Sequence, residues 1–267
     1  MTEKTTTSTD CLIKLPRCLV EACFSLSIIE LRLVLVMIAR IQEHNAFEEQ
    51  LMSISELAEL MDVDKNHVYA QVKRLVKEMG SRVVTIQAEG QTLHFHWLAL
   101  AEYKEGEGHI RLGFDVQLQP YVLELATDAS VYSLELLLGF KSQYTLRLYL
   151  LLKQCELLMP YEIELVRLKA LLALTEGQYK LYTNFKKAVL LVAQRELKEN
   201  ANWYFEFEEV KYSRRVNVLR FSGVNQADKV RAGLYSNDQL QIYSRLKSRY
   251  ENKIPVKLDL RDGQLVE

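Results

Sequence analysis

A mainly helical α+β fold, built as two copies of one unit in tandem, is predicted by three observations. Glycine and proline are scarce, at 10 and 4 of 267 residues, while 49% of residues are hydrophobic and 26% charged. That balance belongs to a globular chain of helices joined by short connections. LRLVLVMIAR at 31–40 recurs as LRLYLLLKQC at 146–155, an offset of 115 residues, and YAQVKRLV at 69–76 recurs as YTNFKKAV at 182–189, an offset of 113. Behind each of the second pair lie short segments rich in β-branched and aromatic residues, broken by turn residues, the mark of hairpin strands.

The elements follow in order. The polar start, MTEKTTTSTD, lacks the apolar stretch of a secretory signal, so a cytoplasmic protein is expected. No segment supplies the roughly 20 apolar residues a bilayer span needs, so no membrane partner is expected. A helical pattern runs from Ser27 to about Gln42. Ser53 and Glu56 have capping-box spacing and open a short helix, 54–61. The turn DVDKN leads to a helix from about Asp64 to Met79, followed by strands at 82–87, 92–100 and 109–114. Residues 120–140 are expected to form a helical connection into the second copy, whose first helix begins at Ser142. There PYEIELVRLKALL (160–172) reads as the short helix and LTEGQ as the turn. A helix from about Gln178 to Lys198 and strands at 202–210 and 216–222 around KYSRR complete the copy. Short helix, tight turn, second helix and a hairpin behind it make a winged helix. The predicted organisation is a tail, 1–11, two winged-helix domains, 12–126 and 127–222, and an extension, 223–267.

Net charge is −1, but it is unevenly placed. Residues 1–145 hold 13 Lys and Arg against 20 Asp and Glu, 146–222 hold 13 against 9, and 223–267 hold 8 against 6. A polyanion would therefore dock mainly on the second copy. Helical periodicity puts Leu181, Phe185, Ala188, Val189 and Val192 on the core face of its second helix. Lys180, Thr183 and Lys187 then point outward, with Asn184 and Lys186 beside them. Such a face suits double-stranded DNA: lysine bonds guanine O6/N7, asparagine bonds adenine N6/N7, and the threonine methyl meets thymine. The same phase turns His67, Ala70 and Arg74 outward in the first copy, flanked by Gln71 and Lys73. Lys211, Arg214 and Arg215 sit at the second hairpin tip, placed for phosphates or a minor groove.

Catalysis is not expected. His94-Phe95-His96 places two imidazoles on one strand face, and Tyr182 with Lys186 forms a Tyr-x-x-x-Lys helix. Together these are the elements of a DNA-nicking enzyme with a two-histidine metal site. However, Tyr69 and Lys73 repeat that spacing, which marks the tyrosine as a structural feature of the repeat. Cys11, Cys18, Cys23 and Cys155 contain no CxxC pair and read as reduced thiols, and no GxxxxGK[ST], GxSxG or HExxH occurs. No metal or cofactor is expected.

LIKLPRCLVEACFSLSIIELRLVLVMIAR, SQYTLRLYLLLKQ and YKLYTNFKKAVLLVAQREL with its basic-tipped hairpin resemble the iteron-binding initiator proteins of bacterial plasmids, the Rep_3 superfamily. The resemblance covers about residues 12–222. It implies two winged helices that bind direct repeats (iterons) at a plasmid origin, open the adjacent duplex, and recruit host replication proteins such as the helicase and host initiator. It further implies a homodimer, in equilibrium with monomer, that represses its own gene through an operator inverted repeat, with the first domain supplying the dimer interface. A winged-helix repressor without a replication role shares the same DNA face.

Overall fold

The computed structural model describes residues 11–62, 68–88, 90–103, 107–123, 128–175, 177–201 and 203–223. The first unit opens with strand β1 (Leu12–Leu15) and a short helix α1 (Arg17–Val20), then runs through α2 (Ile28–His44), β2 (Gln50–Ser53), α3 (Ile54–Met61) and α4 (Val68–Met79). Strands β3 (Val83–Ala88), β4 (Gln91–His96), β5 (Leu98–Tyr103) and β6 (His109–Phe114) follow, and α5 (Gln119–Val122) closes the unit. The second unit repeats the plan: β7 (Ser130–Ser133), α6 (Leu134–Gly139), α7 (Gln143–Gln154), β8 (Tyr161–Glu164) and α8 (Leu165–Leu171). A long bent helix comes next, made of α9 (Tyr182–Phe185), a π-helical turn (Lys186–Leu190) and α10 (Leu191–Asn200), and then strands β9 (Phe205–Tyr212) and β10 (Arg215–Gly223).

Local chemistry starts the helices where the sequence places them. Ser27 and Glu30 close a capping box on α2, and Ser53 and Glu56 close one on α3. The Ser142 hydroxyl accepts from the Tyr144 and Thr145 amides at the head of α7. Each such cap is worth about 1 kcal/mol. Glu30 is fully buried, and Arg82 neutralises it by donating at 2.6 and 3.2 Å. Helix α2 buries Leu31, Leu33, Val34, Leu35, Met37, Ile38 and Ile41, more than a single stripe, and so runs through the core of its unit.

The sheets confirm the repeat and correct the element list. The order β2-β6-β5 in the first unit matches β8-β10-β9 in the second, all antiparallel. Strands β2 and β8 were not foreseen. Each is four residues long and runs straight into a helix, so too few residues alternate to reveal a strand; residues 160–172 are part strand rather than all helix. The segment 92–100 divides at Trp97, which is buried and whose amide donates to the Arg82 carbonyl as the chain leaves β4 for β5. Among the described residues, hairpin β3–β4 has no counterpart in the second unit.

The expected helical connection at 120–140 contains a strand instead. β7 pairs antiparallel with β1, Leu12 opposite Ser133 and Leu15 opposite Ser130. Because β1 and β7 occupy equivalent places in the two units, exchanging them maps each pair onto another, and the two-stranded sheet lies on the internal two-fold. Gln42 closes the outer edge of β1, accepting from the Lys14 amide at 2.9 Å and donating to its carbonyl at 2.8 Å. Buried side chains of both units form one continuous cluster. The expected domain boundary at 126/127 lies outside the described residues, as do the tail 1–10 and residues 224–267. Among the described residues, no helix is long and apolar enough to cross a membrane.

Candidate nucleic-acid interface

In the second unit the long helix begins four residues later than periodicity suggests. Leu181 is its extended N-cap, with φ −84° and ψ 130°, and is 65% exposed rather than core. Lys180 therefore sits in the preceding turn, exposed, and not on the helix face. Phe185 and Val189 are buried as expected, but so is Leu190 at the end of the π turn, and beyond it the buried positions are Ala193, Glu196 and Leu197, while Val192 and Ala188 are only half-buried. A π turn inserts an extra residue and shifts every later side chain around the axis. Thr183, Asn184 and Lys187 are exposed on this helix.

Lys186 is not a free cation. Its Nζ donates to Glu209 Oε1 on β9 at 2.7 Å, and the Tyr182 hydroxyl donates to the same oxygen at 3.0 Å. Lys211 Nζ lies 3.9 Å from the other Glu209 oxygen. The Lys186 hydrogen bond, with help from Tyr182 and Lys211, holds the Glu209 carboxyl below the usual carboxylate range. Burial and the Glu209 carboxylate push the Tyr182 phenol well above its ordinary value. Glu209 thus ties the helix to the hairpin. Sequence reasoning missed it, because 23 residues separate it from Lys186 and the acidic run FEFEEV carries no local signal.

The hairpin turn is tighter than KYSRR suggested. Tyr212 pairs with Arg215, leaving Ser213 and Arg214 as the two turn residues, with φ of 50° and 67°. Two successive positive φ values mark a type I′ turn, where Asn-Gly is the favoured sequence. Holding non-glycine residues there costs about 1 kcal/mol each. The narrow apex leaves Lys211, Tyr212, Arg214 and Arg215 exposed.

The first unit presents less. On α4, Lys73 and Arg74 are exposed and Gln71 is half-buried, while Arg74 Nε lies 3.8 Å from Glu78. His67 lies outside the described residues. His94 and His96 share one exposed face of β4, as strand alternation requires, and His94 Nδ1 is 3.0 Å from the Thr85 hydroxyl. Tyr182, the other half of the nicking signature, belongs to the second unit and is engaged with Glu209. Burial and the neighbouring carboxylate disfavour the phenolate form of Tyr182. Among the described residues, no group of three or more His, Cys, Asp or Glu is arranged to hold a metal.

The chain matches the family described as "Initiator Replication protein, WH1" over residues 12–153 and the one described as "Initiator Rep protein, WH2" over residues 164–222. No curated protein matches it. Among solved structures, the Pi initiator protein in complex with iteron DNA is 19% identical with a TM-score of 0.63, covering 80% of this chain and 97% of that one. The WH1 domain of MSBI1.176, a replication protein isolated from a multiple sclerosis patient, is 18% identical with a TM-score of 0.31, covering 38% and 82%. Domains 2 and 3 of RctB are 11% identical with a TM-score of 0.45, covering 73% and 81%. At 19% identity, the likeness to the Pi initiator is one of fold.

Proposed function

The chain belongs to the initiator Rep family, with both winged-helix modules in order, and on that premise we propose that it starts plasmid replication by binding iteron repeats in double-stranded origin DNA. The second unit is the main reader. Thr183, Asn184 and Lys187 face base edges, and Lys180, Lys211, Arg214 and Arg215 take phosphates. Lys186 serves as a strut to Glu209 rather than as a DNA contact. The first unit adds weaker contacts through Gln71, Lys73, Arg74 and His67, and pairs with a second copy in a homodimer that represses its own gene at an inverted repeat. Recruitment of host helicase and initiator follows once the duplex opens. The protein acts without catalysis of its own and works in the cytoplasm.

The observation that carries this reading is the exposed polar helix face of the second unit, coupled through Glu209 to a cationic hairpin apex, in the module the family assigns as its second winged helix. The test is binding to DNA upstream of its own gene, combined with replication of a plasmid carrying that DNA. Specific binding to direct repeats and dependence of replication on the protein are expected. Binding without replication dependence would make it a repressor. Nicked or covalently attached DNA after incubation with Mg²⁺ or Mn²⁺ would make it an enzyme.

A further inference from the structure

Arg32 and Arg147 stand at matched places in the repeat, and their hydrogen bonds are matched as well. Arg32 Nη1 donates to the Leu60 carbonyl at 3.1 Å, in the last turn of α3 in its own unit, and Nη2 donates across the boundary to the Phe140 carbonyl at 2.9 Å. Arg147 Nη2 donates to the Leu171 carbonyl, at the end of α8 in its own unit, and across the boundary to the Ala22 carbonyl, each at 2.6 Å. Leu60 and Leu171 are equivalent, since each lies six residues after the start of its helix, at Ile54 and Leu165. Phe140 and Ala22 are equivalent too, each ten residues after the start of its paired strand, at Ser130 and Leu12. Every bond on one side therefore has its two-fold counterpart on the other.

We propose that Arg32 and Arg147 are reciprocal positioning residues that fix the angle between the two winged helices and so set the spacing of the two DNA segments the units engage. This rests on the reading that both units meet DNA and that the second begins at β7, ahead of the end of the first family match at residue 153. The last-turn carbonyls of a helix have no intrahelical donor and carry its negative dipole end, so a cation bound there is well placed. Arg32 spreads its two bonds over Nη1 and Nη2, and Arg147 makes both from Nη2; in each case the planar guanidinium fixes their directions, as a freely rotating lysine ammonium does not. The Phe24 ring, also from the first unit, lies 3.9 Å from the Arg147 guanidinium carbon and adds a second fixed contact across the boundary. No carboxylate among the described residues pairs with Arg147, so the clamp itself is what compensates the buried charge. Burial pulls Arg147 down to about 10, which leaves it protonated at neutral pH.

The experiment measures affinity of the full chain for its origin repeat and for repeats carrying one base pair inserted between the segments protected by the two units. One base pair moves the second segment by about 3.4 Å and turns it by about 34°. The wild-type protein should lose at least about tenfold in affinity on insertion, since rigidly linked modules forfeit joint binding when geometry forbids it. Arg32→Lys and Arg147→Lys, each checked as folded by circular dichroism and thermal melting, should lose less than about threefold on insertion, because a looser joint lets both modules engage. A general loss of stability would lower affinity for both DNAs alike and leave the ratio unchanged. An insertion penalty in folded lysine variants equal to that of the wild type would overturn the proposal. So would a wild-type protein indifferent to the insertion, a result that stands even if a variant fails to fold. Absence of any specific binding by the wild type would instead refute the DNA-binding reading itself.

Discussion

The two recognition helices share one sequence pattern and present different surfaces. In YAQVKRLV the buried residues are Val72, Leu75 and Val76, and in YTNFKKAV they are Phe185 and Val189, so the inward half of the pattern is kept. The outward half diverges. The first helix exposes Tyr69, Ala70, Lys73 and Arg74, and the second exposes Thr183, Asn184 and Lys187. The equivalent tyrosines also part ways: Tyr69 is 51% exposed, whereas Tyr182 is bonded to Glu209. A cation counted on a helix face is not a cation available to a phosphate. Glu209 occupies Lys186 at 2.7 Å, and Glu78 approaches Arg74 at 3.8 Å. Within the two matched segments Lys187 and Lys73 have no ion-pair partner among the described residues, and among those residues the second unit alone combines its helix with an arginine-tipped hairpin.

Four variants probe that contrast, in descending order of expected effect. Lys187→Ala should cost about 1–3 kcal/mol of discrimination between cognate and random DNA, as loss of a base contact does, in fluorescence anisotropy titrations. Replacing Arg214 and Arg215 together by alanine should flatten the salt dependence of log K by roughly two units, at about 0.9 per lost phosphate contact. An unchanged slope would remove the hairpin from the interface. Glu209→Gln should act in the opposite sense: with Lys186 released, binding to random DNA strengthens and the slope steepens by about one unit. A flatter slope would mean that Glu209 organises the contacts rather than masking them. Arg74→Ala should shift affinity by less than about 1 kcal/mol, because Glu78 already shares an exposed charge.

Local signals made much of this architecture legible in the sequence. Ser53 with Glu56 acts within four residues, so its cap could be read directly, and the structure shows the same spacing at work in Ser27 with Glu30. The repeat gave the two units, and strand alternation gave the shared face of His94 and His96. What escaped depends on distant partners or on geometry without a residue code. β7 is a strand only because β1 lies beside it, more than a hundred residues earlier. The Ser213-Arg214 turn lacks the glycine or asparagine that would announce it. The π turn displaced the predicted core from Val192 to Ala193. Arg32 and Arg147 stood in plain view in the repeat, but their partners are backbone carbonyls, which no side-chain pattern reveals.

The second unit should read sequence while the first positions it. Selection from a random duplex library tests this directly, comparing the wild type with Thr183→Ala/Lys187→Ala and with Lys73→Ala/Arg74→Ala. The account predicts that the first pair erases or rewrites the preferred bases, and that the second pair keeps the preference and lowers affinity evenly across sequences. A preference rewritten by Lys73→Ala/Arg74→Ala and untouched by Thr183→Ala/Lys187→Ala would contradict it.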